Sequence, residues 1–172
     1  MPELVPVLDE DAIALRVSRI ASKISTDYAD GDLILVGVLK GAFVFLSDLA
    51  RRLSIPVQID FIRVASYGTA SCSSGTIRLS KDLEMDIEGK DVLIVEDIVD
   101  TGLTIRCLID HLNSFQPHSV KVCTLIDKSE RREVPFAPDY ACHTVERGFL
   151  VGYGLDYAED YRHLPGIYHL KL

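Results

Sequence analysis

Hydrophobic positions along the chain follow two alternating patterns, one helical and one extended. Ile13, Val17, Ile20 and Ile24 recur at spacings of four, three and four, a single apolar stripe on a 3.6-residue period. Asp9 stands where a carboxylate caps a helix start, and Glu10 and Asp11 suit the positive end of the helix dipole. The pair Asp30-Gly31 marks a turn after this helix. The run LILVGVL at 33–39 is apolar throughout and bounded by turn signals, as in a strand buried on both faces. GAFVFLSDLARRL at 41–53 reads as a second helix. Ile55–Val64 alternates imperfectly and reads as a strand with Ile59, Phe61 and Val64 as its apolar positions. DVLIVE at 91–96 and the segment 120–126 read as further buried strands. Between them, 103–114 reads as a helix that turns Ile105, Leu108, Ile109 and Leu112 inward, and 142–145 and 148–151 are shorter strand candidates.

Strands alternating with helices imply parallel βαβ units and an α/β fold around a mostly parallel sheet. One stretch breaks the pattern. SYGTASCSSGT at 66–76 is rich in Ser, Gly and Thr and has almost no apolar content. A loop of that length inside a compact chain is often a functional lid, here spanning about 66–80.

The length of 172 residues predicts one domain over 1–172. The chain has 18 Lys+Arg against 26 Asp+Glu, a net charge of −8, which argues against a nucleic-acid or anionic-membrane partner. No apolar run reaches the ~18 residues that span a bilayer. The first residues lack the basic-then-apolar order of a secretory signal, so a cytoplasmic location is expected. Cys72, Cys107, Cys123 and Cys142 lie 35, 16 and 19 residues apart, which matches no metal pair and no disulfide framework, so isolated thiols are expected. His111, His118, His143, His163 and His169 show no metal-ligand spacing either.

The segment richest in chemistry is DVLIVEDIVDTGLT at 91–104. A buried strand ends in two adjacent acids, Glu96 and Asp97, a third acid follows at Asp100, and Thr101-Gly102-Leu103-Thr104 opens a helix. Strand ends of open α/β sheets are where ligands bind. Small residues at a helix start let backbone N–H groups approach an anion closely. Acids beside such an anion hole can accept hydrogen bonds from the hydroxyls of a sugar phosphate. A lone acid there would more often be a solvated turn, or, for Asp100, a helix cap.

VLIVEDIVDTGLT resembles the 5-phosphoribosyl-1-pyrophosphate (PRPP) motif of type I phosphoribosyltransferases, and the chain resembles the hypoxanthine(-guanine) branch of that family. Four more segments agree in the family's order: LKGAF at 39–43, SYG at 66–68, DK at 127–128 and FLVGYGLDY at 149–157. Five ordered segments over about 30–162 are far more specific than any one of them. The resemblance implies a type I phosphoribosyltransferase fold, with a mostly parallel sheet, flanking helices, a flexible lid loop and a small hood built from the N- and C-terminal segments. It implies transfer of phosphoribose from PRPP to a 6-oxopurine, with Mg²⁺ as cofactor, no nucleic-acid or membrane partner, and assembly as a homodimer or homotetramer.

The same resemblance assigns residues. Glu96 and Asp97 would hold the ribose hydroxyls as ionised acceptors, and Asp100 would be the base that takes a purine nitrogen's proton. Thr101, Gly102, Leu103 and Thr104 would cradle the 5′-phosphate. Lys40, Gly41 and Arg162 would meet pyrophosphate, with a cis peptide before Lys40. Ser66 and Tyr67 would close from the lid, since PRPP is activated and water competes for it. Lys128 would donate to the purine O6, Phe149 would stack on the ring, and the Leu150 carbonyl would meet the base edge. Asp156 would bind Mg²⁺, with Glu96 and Asp97 as further metal candidates. Ala42 stands where the family has a second glycine, and HTVERG at 143–148 departs from the family's usual wording. An alternative is a PRPP- or nucleotide-sensing regulator of the same fold. A generic nucleotide-binding domain lacks support, because neither G-x-G-x-x-G nor G-x-x-x-x-G-K-[ST] occurs.

Overall fold

The apolar runs form the centre of a six-stranded sheet. The structure, a computed structural model, describes residues 2–65 and 78–172. In chain order the elements are β1 (Glu3–Leu8), α1 (Glu10–Asp27), β2 (Leu33–Val38), α2 (Phe43–Arg52), β3 (Val57–Val64), β4 (Leu79–Lys81), β5 (Asp91–Val99), α3 (Leu103–Asn113), β6 (Ser119–Lys128), β7 (Tyr140–Val145), β8 (Leu150–Val151) and β9 (Ile167–Lys171). The main sheet runs β4-β3-β2-β5-β6-β7, parallel except where β4 pairs antiparallel with β3. A second, antiparallel sheet, β1-β9-β8, joins the two ends of the chain and forms the small hood.

Period-two alternation sends each central strand's side chains to two cores. Leu33, Leu35, Leu93 and Val95 pack under α1 and α2, whereas Ile34, Val36, Val92 and Ile94 pack under α3. The α1 stripe is buried as expected, with Ile13, Val17 and Ile24 at most 2% exposed, and Asp9 caps it by accepting from the Ala12 N–H. Among the described residues no helix is long and apolar enough to cross a membrane.

Three expectations change. β1, β4 and β9 have no counterpart among the sequence-derived elements, because they are short and pair outside the parallel core. On β3 the apolar Ile59 is 44% exposed and Asp60 is buried. Asp60 is compensated there, accepting from the Glu84 and Met85 N–H groups at 2.8 and 2.9 Å with Lys81 Nζ at 3.7 Å, so it anchors the chain entering β5. Cys123 and Cys142 are free and buried, whereas Cys107 is disulfide-bonded, which departs from the isolated thiols expected.

Candidate active site

The two central strands β2 and β5 end at the same edge of the sheet, and their following loops converge there. After β2 come Leu39, Lys40, Gly41 and Ala42, with a cis Leu39–Lys40 peptide, as the resemblance implies. Ala42 sits at φ −84° and ψ −1°, an ordinary right-handed conformation, so the family's second glycine is not needed here. Gly41 is needed for another reason. A Cβ on it would fall 1.8 Å from Asp97 Oδ2. A Cβ on Gly154 would fall 2.3 Å from the Gly41 carbonyl oxygen. The β2 loop, the end of β5 and the segment after β8 therefore touch through two glycines.

At the end of β5, Glu96 is buried and Asp97 half-buried. The Asp97 N–H donates to Glu96 Oε1 at 3.0 Å, and the Ile98 N–H to Asp97 Oδ1 at 2.7 Å. Burial, and next the neighbouring Asp97 charge, push the Glu96 carboxyl well above its usual range. The two carboxyls therefore hold protons unequally, and burial makes the charge on Glu96 the costlier of the pair. A cavity of about 250 Å³ opens beside these acids, lined by Glu96, Asp97, Asp100, Thr101, Gly102 and Thr104 among others.

At the start of the helix after this loop the Leu103 N–H donates to Thr101 Oγ1 at 3.2 Å. Gly102 takes the N-cap position at φ 85°, in the left-handed region, and a Cβ there would meet Val134 Cγ2 at 2.8 Å. Asp100 is therefore not the helix cap. Its Oδ2 lies 3.8 Å from Lys128 Nζ and 3.7 Å from an Arg131 guanidinium nitrogen, while its Oδ1 is buried with no hydrogen-bond partner. Lys128 closes β6 and is itself buried, and its Nζ faces the Asp100 and Glu130 carboxylates at 3.8 and 3.9 Å.

On the hood side, Phe149 is 48% exposed and meets the Tyr157 ring edge-on, with centroids 5.6 Å apart. Leu150 is buried in β8. The Tyr153 hydroxyl donates to Asp48 of α2, and Arg162 NH1 donates to the Gly154 carbonyl at 2.7 Å, which pins 153–162 over the Lys40 loop. Asp156 Oδ1 lies 3.4 Å from Arg162 NH2, and Asp156 Oδ2 accepts from the Glu159 N–H at 2.9 Å. Arg162 Nε is buried with no partner.

Asp156 suits a hard divalent cation. Mg²⁺ takes one or two carboxylates and fills its octahedron with water and phosphate oxygens. Among the described residues no cluster of three or more His, Cys, Asp or Glu side chains could cage an ion alone. The donor set therefore fits an ion carried with a phosphorylated ligand.

Two functional residues have no sequence signal. Arg132 donates to the carbonyls of Val99, Asp100, Lys128 and Phe136 and to the Asp127 carboxylate, clamping the ends of β5 and β6 together. Glu159 bridges Lys40 and Arg162. Ser66 and Tyr67 lie outside the described residues, as does most of the lid stretch.

A family model, the phosphoribosyl transferase domain, matches residues 6–158. The chain belongs to the phosphoribosyltransferase family. Within the family it is 47% identical to the hypoxanthine-guanine phosphoribosyltransferase of Aquifex aeolicus over 166 residues, which covers 96% of this chain and 93% of that protein. It is 45% identical to the enzyme of that name from Dictyostelium discoideum, over 96% of this chain and 94% of the relative. The structure overlays on the crystal structure of a Bacillus anthracis hypoxanthine-guanine phosphoribosyltransferase, with a HEPES molecule in its active site, at TM-score 0.92, 39% identity and 100% coverage of both chains.

Proposed function

We propose that this chain transfers the 5-phosphoribosyl group of PRPP to a 6-oxopurine, hypoxanthine and also guanine, giving the nucleoside 5′-monophosphate and pyrophosphate in purine salvage. The observation that carries this reading is a pair of orphans. Buried polar atoms are nearly always hydrogen-bonded, and each exception calls for a cause. Among the described residues only three buried side-chain atoms lack a partner: Tyr28 Oη, Asp100 Oδ1 and Arg162 Nε. Two of the three belong to residues that the family pattern assigns to the base and to pyrophosphate, so they await a ligand.

The residue roles follow from this chemistry. Asp100 Oδ1 takes the proton from the purine nitrogen that attacks C1′. Lys128 donates to O6 and favours 6-oxo over 6-amino bases, because adenine presents a donor there. Phe149 supplies an exposed ring face for stacking, and the Leu150 carbonyl meets the base edge. Glu96 and Asp97 take the ribose hydroxyls and place negative charge near C1′ as positive charge develops there. The start of α3, at 101–104, holds the 5′-phosphate through backbone N–H and hydroxyl groups. Lys40, the Gly41 backbone and Arg162 take pyrophosphate, Arg162 through its planar fork. The family pattern gives Ser66 and Tyr67 the task of excluding water. Mg²⁺ would be held by Asp156, with Glu96 and Asp97 as further ligands, and when bound it neutralises charge on the leaving pyrophosphate. The reading includes a cytoplasmic homodimer or homotetramer with small-molecule partners only.

The test is direct. The purified protein is incubated with PRPP, Mg²⁺ and hypoxanthine, guanine, xanthine or adenine in turn, and nucleotide formation is followed by absorbance. Turnover with hypoxanthine and guanine is expected. Turnover with adenine but not hypoxanthine would remove Lys128 from base selection, and no turnover with any base would favour the PRPP-sensing regulator.

A further inference from the structure

Lys40 and Arg162 do not wait for pyrophosphate with free charges. Glu159 Oε2 accepts from Lys40 Nζ at 2.9 Å, and Glu159 Oε1 accepts from Arg162 NH2 at 3.1 Å. One carboxylate thus spans both cations, an oxygen to each, as a phosphoryl group would. We propose that Glu159 is a resident anion that occupies the pyrophosphate cations in the empty enzyme and is displaced when PRPP or pyrophosphate binds, so that it weakens that half of the ligand and speeds its release. The inference rests on the assignment of Lys40 and Arg162 to pyrophosphate.

Three features fit a replaceable anion. First, the Glu159 side chain is 63% exposed, and exposed ion pairs are weak enough for a multiply charged ligand to displace. Second, its backbone is held in a costly shape. Ala158, Glu159 and Tyr161 have φ of 51°, 70° and 77°, left-handed values that non-glycine residues avoid. That turn is held by its own backbone, the Tyr157 and Asp160 N–H groups each donating to the other's carbonyl at 3.1 and 2.9 Å, and it sets the carboxylate beside both cations whether or not the ion pairs form. Third, the displaced group is itself anionic, so it repels the ligand that replaces it. Asp156, 3.4 Å from Arg162 and accepting from the Glu159 N–H, is the other acid facing this pair. Among the described residues no carboxylate bonds the N–H groups at the start of α3, where the Leu103 N–H donates to the neutral Thr101 hydroxyl at 3.2 Å.

Calorimetric titration of pyrophosphate with Mg²⁺, of PRPP with Mg²⁺ and of a nucleoside 5′-monophosphate tests this. Glu159→Gln is expected to tighten pyrophosphate and PRPP about three- to tenfold, the span of two exposed ion pairs. It should lower KM for PRPP, make pyrophosphate a stronger product inhibitor and leave the nucleoside monophosphate unchanged. A merely structural role for Glu159 predicts the opposite sign, weaker binding. Glu159→Asn, which tolerates the left-handed turn, should reproduce the gain if the Gln variant folds poorly. Unchanged or weaker pyrophosphate binding in both variants would overturn the proposal. Lys40→Met and Arg162→Met separate the two layers. If both bind pyrophosphate as the wild type does, the assignment of these cations falls and the inference with it. If they lose affinity while the Glu159 variants gain none, the assignment stands and only the inference is overturned.

Discussion

The two halves of the site are built by different means. The half proposed for phosphoribose, Glu96 to Thr104, sits where β5 leaves the buried core, and its shape comes from backbone: a strand end, a left-handed Gly102 and a helix start. The half proposed for pyrophosphate, Lys40 with Asp156, Glu159 and Arg162, comes from two loops, and its shape comes from charged side chains bonding one another. Backbone donors at a strand end need no ligand to stay in place. Charged side chains on loops do, and here a carboxylate of the same chain serves. The first half should therefore respond to mutation as chemistry, and the second as a change in binding strength.

The largest expected effect tests the first half. Asp100→Asn should lower kcat by ~10²-fold or more while PRPP binding is largely kept, as expected for a lost general base. Steady-state kinetics with calorimetry checks it, and an unchanged kcat would take Asp100 out of the mechanism. Next comes the contact where the halves meet. Gly41→Ala would place a Cβ 1.8 Å from Asp97 Oδ2, so it should raise KM for PRPP by about tenfold or more. A variant with wild-type KM would show that the two loops can separate freely.

Arg132→Met tests whether the clamp is what fixes the first half. It strands the Asp127 carboxylate and four carbonyls, at a cost of about 2–4 kcal/mol. Thermal melts should show a fall of roughly 5–12 °C, and kcat should fall with it. A stable variant with normal kcat would mean that the sheet alone holds the site.

The smallest effect is electrostatic. Glu96 has a folded-state pKa above its unfolded value, so over the interval between them the unfolded chain binds fewer protons, and stability falls as pH rises. Its favourable contribution is complete below the unfolded pKa and is lost as pH rises through the folded one. Glu96→Gln, measured in metal-free buffer, should raise Tm by a few degrees near pH 8 and lose that gain near pH 4. A gain equal at both pH values would place the cause in packing instead.

Much of the first half is legible in the chain. The apolar strand, the acid pair, Asp100 and the Thr/Gly loop follow one another in the single segment 91–104. Lys128 and Arg162 are recoverable only through the family pattern, because an isolated lysine or arginine is more often a surface group. Arg132 and Glu159 leave no mark. Arg132 reads as one of two arginines in a loop, yet it spans the ends of two strands. Glu159 lies in a run of charged and aromatic residues, and its importance depends on Lys40, 119 residues away. The β3 pattern misleads for a related reason. Asp60 is buried because the N–H groups of residues 84 and 85 need an acceptor, and alternation alone carries no record of that.

The sequence by itself determined the central strands, the first helix and the chemistry at the end of β5, because hydrophobic periodicity and helix-start rules act over a few residues. Only the tertiary structure decided the antiparallel hood, in which Glu3 pairs with Lys171, the upward shift of the Glu96 pKa and the carboxylate that bridges Lys40 and Arg162. Each of these depends on burial or charge contributed by residues far apart along the chain, and such energies do not exist until the fold brings them together.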